Sequence, residues 1–93
     1  MTKEDFEKIA AIMLSKLIDH MLDKGIKVTY TKEVLSLIAE ESYSEKYGAR
    51  NMRRYIEKNI EDEMANVIIE NSQSALRGIA LSVNQGKIII NSI

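Results

Sequence analysis

Arg50, Arg53 and Arg54 stand in the first turns of a segment whose pattern predicts a long helix, and the acids follow them at Glu57, Glu61, Asp62, Glu63 and Glu70. The helix dipole favours the reverse order by roughly 0.3–1 kcal/mol for each charge near an end. A helix N-terminus already turns free N–H groups toward anions. Arginines added there would strengthen an anion site, with phosphate as the obvious ligand. The same residues also fit ordinary pairing along a solvated helix, Arg53 with Glu57 and Lys58 with Asp62. Spacing alone leaves both readings open.

Other chemistry is sparse. The chain has no Cys, which excludes disulfides and thiolate metal sites, and one His, which cannot build a His-rich metal site. Zinc-ligand spacings, a Gly-x-Ser-x-Gly nucleophile elbow and a phosphate loop are all missing. His20 falls off the apolar stripe of its helix and is expected at the surface. Glu40-Glu41 and Glu61-Asp62-Glu63 read as solvated helix faces. No complete catalytic site is present, so an independent enzyme is not expected.

The 93 residues are 45% apolar, enough for one core. Thirteen basic residues against 14 acidic ones give a net charge of -1, which argues against extended nucleic-acid contact. No apolar run approaches the roughly 20 residues that a membrane span requires. The polar start Met1-Thr2-Lys3-Glu4-Asp5 lacks the basic-then-apolar order of a signal peptide, and a cytoplasmic location is expected.

The elements that must position the arginines are legible in outline. Phe6, Ile9, Ala10, Met13, Leu14, Leu17, Ile18, Met21 and Leu22 recur at three- and four-residue steps, which predicts a helix from about Lys3 to Lys24. Thr2 is its expected cap and Gly25 its stop. Ile26 to Tyr30 alternates as a strand. Thr31 then caps a short helix from about Lys32 to Glu41, with Val34, Leu35 and Ile38 inward. A turn from Ser42 to Ala49 leads to the long helix, from near Arg50 to near Asn71, striped by Met52, Ile56, Ile60, Met64, Val67 and Ile68. After a loop from Gln73 to Gly78, two strands flank the turn Asn84-Gln85-Gly86-Lys87. The first strand must pair with this hairpin to satisfy its backbone. The expected fold is α+β, with helices on one face of a three-stranded sheet, in a single domain spanning residues 1–93.

Tyr47-Gly48-Ala49-Arg50, Arg53-Arg54 and Ile60-Glu61-Asp62, set in this order of elements, resemble the signature of the C-terminal small domain of Clp-type AAA+ ATPases. The family pattern is Tyr-Gly-Ala-Arg-Pro-Leu-Arg-Arg followed by a helix carrying Ile-Glu-Asp. Asn51 stands here for the Pro, Met52 for the Leu, Glu57 for a common Gln, and Asn71 where a Gly often ends the helix. The resemblance covers nearly the whole chain and is closest to the ClpC, ClpA, ClpE and ClpB group.

The resemblance implies that the chain is part of a larger ATPase. Arg50 would match the sensor-two arginine, which reaches the phosphates of ATP bound by the large domain, while Gly48 and Ala49 would shape the turn. Arg53 and Arg54 would meet an anion or a neighbouring domain. ATP or ADP with Mg would belong to the parent, and the chain alone would not bind them tightly. Expected partners are its own large domain, neighbouring subunits of a homohexameric ring, substrate proteins and a peptidase held through other regions, with no membrane and no nucleic acid. The alternative from the residues themselves is a stand-alone module that docks an acidic protein or a nucleic acid on the basic helix end.

Overall fold

The computed structural model describes residues 2–43, 48–72 and 76–93. Helix α1, Lys3–Asp23, starts in a capping box: the Asp5 N–H donates to the Thr2 hydroxyl at 3.2 Å, and the Thr2 N–H donates to the Asp5 carboxylate at 2.9 Å. Hydrogen bonding from Thr2, chiefly its backbone, holds the Asp5 carboxyl below its ordinary value. The other end closes on Gly25 at φ +82°. The Gly25 N–H reaches the Leu22 carbonyl at 2.8 Å and the Ile26 N–H the Met21 carbonyl at 3.0 Å, which is a Schellman closure. Phe6, Ala10, Leu14 and Met21 are buried. Leu22, expected in the stripe, is 58% exposed, about 100° around the helix from the buried Met21.

Strand β1, Lys27–Tyr30, leads through Thr31 into α2, Lys32–Ser42. Thr31 holds the cap position, but its side chain makes no capping bond. Helix α2 buries Val34, Leu37, Ile38, Ala39 and Ser42, and leaves Leu35 only half-buried. It packs against α1, the following helix and the sheet at once, so more than one face is covered. The Ser42 hydroxyl, 1% exposed, has no hydrogen-bond partner among the described residues. Phe6 and Tyr43 meet edge to face, 5.3 Å between ring centres, and fasten the end of α2 to α1.

The long helix consists of α3, Ala49–Ile56, a π-helical turn, Glu57–Glu61, and α4, Asp62–Glu70. It begins one residue earlier than the sequence pattern places it. In the turn the Asp62 N–H reaches back five residues to the Glu57 carbonyl. The buried stripe explains why. Met52, Ile56, Ile60 and Met64 are at most 3% exposed and lie at strict four-residue steps. In a regular α-helix each such step overshoots by about 40°, so the four would spread over about 120°. One extra residue in the ladder removes about 100° of that drift. The π-turn therefore keeps all four side chains on one line. At the far end the Asn71 side chain caps the helix, donating to the Val67 carbonyl at 2.7 Å.

The phase of the buried stripe sets how deletions behave. Removing the exposed Lys58 converts the stripe spacing to four, three and four, which a regular helix keeps on one face. The melting temperature should then fall by no more than about 5 °C, the equivalent of ~1 kcal/mol. Removing Ala65, also exposed, should cost at least twice as much, because Val67 and Ile68 rotate away from the core they pack against. Thermal unfolding followed by circular dichroism separates the two.

Strands β2, Gly78–Asn84, and β3, Lys87–Ser92, form the hairpin, closed by Gln85 at φ +51° and Gly86 at φ +71°, the two positive values a type I′ turn requires. Gly78, placed in a loop by the sequence pattern, is the first residue of β2. The sheet order is β1-β2-β3, with β1 parallel to β2 and β2 antiparallel to β3. Val28 pairs with Ile79, Tyr30 with Leu81, and Leu81 with Ile90, and this face meets the helices. The other face carries Thr29, Ala80, Ser82 and Asn91, with the Asn91 amide donating to the Ser82 hydroxyl at 3.3 Å. The fold is the expected α+β arrangement, three helical rods against one face of a mixed sheet.

Candidate functional site

The arginine-bearing helix end is built on backbone conformation. Gly48 is the residue before α3 and has φ +52°, ψ -128°. A Cβ added there would meet nothing within 4 Å, so the demand for glycine is conformational rather than spatial. Ala49 opens the helix without a side-chain cap. Two residues after Arg50, Met52 is fully buried and pins the first turn to the core. Arg50 is exposed on the opposite side of the helix. Tyr47, the first residue of the sequence motif, lies outside the described residues.

The structure divides the three arginines. Arg50 and Arg54, four residues apart, share the outer face, an arrangement of like charges that costs about 0.2–0.5 kcal/mol in a helix. Arg53 turns toward α1 and lines a groove of about 390 Å³ with Ile9, Met13, Leu17, His20 and Glu57. His20 is at the surface as its position off the stripe implies, on the rim of this groove. Among the described residues no carboxylate is ion-paired with Arg50, Arg53 or Arg54, and Lys58 has no ion pair with Asp62. The ordinary pairing that the spacing allowed is thus not formed. Arg50 is exposed and has no ion-pair partner among the described residues, and a guanidinium can give a forked pair of bonds to phosphate oxygens.

Among the described residues no group of three or more His, Asp or Glu side chains could hold a metal ion. No described helix is long and apolar enough to cross a membrane. The groove between α1 and α3 was not legible in the sequence. Its one local signal is Ile12, 58% exposed on the face of α1 beside the stripe.

Comparison with known proteins matches residues 1–81 to the family described as the C-terminal, D2-small domain, of ClpB protein. Among curated proteins, the chain is 36% identical over 73 residues to the ATP-dependent Clp protease ATP-binding subunit ClpC of Staphylococcus aureus (strain USA300). It is 32% identical over 73 residues to the protein of the same name from Staphylococcus saprophyticus. Each match covers 78% of this chain and 9% of the relative.

Proposed function

We propose that this chain, which belongs to the family of C-terminal D2-small domains of ClpB protein, works as the lid of a Clp-type AAA+ ATPase and carries the arginine that senses bound nucleotide. The chain spans about a tenth of the length of the curated relatives it matches, so the nucleotide-binding machinery is assigned to a separate large domain. The observation that carries the reading is Arg50: exposed, one residue into a helix, positioned by a positive-φ glycine and a fully buried methionine, and bonded to no carboxylate among the described residues.

In this reading the small domain packs on its own large domain through a hinge and on a neighbouring subunit of a homohexameric ring through another face. Arg50 is drawn toward the terminal phosphate of ATP and released when that phosphate leaves. The rigid small domain converts the loss of one charged contact into a rotation of the whole lid. Arg50 fits a triphosphate as one contact among several. Mg would come with the nucleotide on the large domain. The relatives are named as ATP-binding subunits of a protease, and the parent is assigned the task of unfolding substrate proteins and passing them to a peptidase. Arg53 and Arg54 are assigned to contacts with neighbouring domains.

The first test uses the isolated chain. One charged hydrogen-bonding group contributes about 1.5–3 kcal/mol, whereas micromolar binding requires about 8 kcal/mol. Titration with ATP should give a dissociation constant in the millimolar range or weaker, with the Arg50 resonances among those that move. A micromolar constant would mean that the chain contains a nucleotide site of its own. The decisive test is substitution of Arg50 in a polypeptide that includes the large domain.

A further inference from the structure

The outer edge of β3 is open and lies beside the long helix. A cleft of about 770 Å³ runs between them, lined on one side by the five consecutive residues Gly86 to Ile90 and on the other by Tyr55, Asn59, Glu63 and Val67, with Glu41 at its margin. Consecutive strand residues can line one cleft only where the strand turns its backbone edge to it, since their side chains alternate between faces. Hydrogen bonding sets which groups face outward. The Ile93 N–H bonds to the Gly78 carbonyl on the β2 side, and the bonding alternates along an antiparallel ladder. Ile88, Ile90 and Ser92 therefore carry their N–H and C=O groups away from β2, without a backbone partner among the described residues. The usual defences of an edge are weak here: the strand has no Pro and no bulge, its one charge is Lys87 at its start, and three isoleucines follow in a row.

The geometry points to this cleft as a docking site for an extended, basic segment of a partner polypeptide, which adds to the sheet as a fourth strand on β3. The free edge of Ile88 and Ile90 supplies main-chain bonds to any extended chain. Selectivity comes from the helix side, where alternate side chains of the incoming strand meet the line from Tyr55 to Val67. Two acids, Glu41 and Glu63, border that line against the single Lys87, so a lysine or arginine in the segment is favoured and an acidic one is rejected. Glu41 faces the cleft closely enough that its charge, after burial, helps push the Tyr55 hydroxyl above its ordinary pKa. The π-turn keeps this row in line as it does the buried one, since Tyr55, Asn59, Glu63 and Val67 also recur every four residues. The site is independent of Arg50, which is not among its lining residues.

The test uses the 93-residue chain with a capped seven-residue peptide alternating valine and lysine. Amide exchange is read residue by residue by NMR. The expected result is at least tenfold slower exchange at Ile88 and Ile90 with the peptide in excess, and no change with the valine–glutamate peptide or with a valine–lysine peptide N-methylated at alternate residues. The exposed pair Glu41→Lys and Glu63→Lys should lose at least tenfold in affinity, with an unchanged amide spectrum elsewhere certifying the fold. Unchanged exchange at Ile88 and Ile90 at millimolar peptide would overturn the proposal. So would equal binding of the acidic peptide, or a free protein that sediments as a dimer with both amides already protected, which would make a second copy the occupant.

Discussion

In a polypeptide that joins this chain to its large domain, Arg50→Ala is expected to lower ATP turnover or its coupling to substrate unfolding by roughly ten- to a hundredfold. The magnitude follows from the contact proposed. A charged hydrogen-bonding group contributes about 1.5–3 kcal/mol, and each 1.36 kcal/mol is a factor of ten in rate. Arg50 is exposed and makes no ion pair among the described residues, so its removal should leave the melting temperature of the isolated chain nearly unchanged. Arg50→Lys separates charge from geometry. An ammonium cannot reproduce the planar fork of a guanidinium, and recovery should be partial at best. Steady-state ATPase assays and a substrate-unfolding assay on the same preparations read both effects. Wild-type coupled activity in the Ala variant would remove the sensing role and leave the family membership intact.

Gly78→Ala is expected to destabilise the isolated chain by about 1–3 kcal/mol, a drop of roughly 5–15 °C in melting temperature for a domain of this size. A Cβ at this position would lie 2.7 Å from the Lys27 carbonyl oxygen. That atom is backbone, and it belongs to the residue paired with Gly78 at the start of the parallel ladder. It cannot swing aside as a side chain would. Relief requires β1 and β2 to separate where β1 has its one strand neighbour among the described residues. Gly78→Val should be worse, because the added methyl groups enlarge the same clash. Thermal and urea unfolding measure the loss, and a melting temperature within 2 °C of the parent in the Ala variant would contradict the close approach of the two strands. Gly48 gives the contrast. Substitution there meets open space, so any penalty comes from the left-handed backbone alone.

The features legible along the chain are local ones. Apolar steps of three and four residues marked each helix, Thr2 and Gly25 marked the ends of the first, and Asn84-Gln85-Gly86-Lys87 marked the hairpin turn. The Gly48-Ala49-Arg50 motif, set among elements in the family's order, marked the family and the residue to suspect. These signals work because capping, turn formation and amphipathic phase depend on neighbours within about one turn of chain. The tertiary structure alone decided what each face meets. It paired β1 with β2 in parallel, drew Gly78 into the sheet, covered more than one side of α2, and gave the far edge of β3 no strand partner among the described residues. Those outcomes depend on groups distant in sequence, which no local pattern encodes. The π-turn lies between the two cases. Its trace was present as the strict four-residue spacing of Met52, Ile56, Ile60 and Met64, but that spacing becomes a demand for an extra residue only when one surface must receive all four side chains.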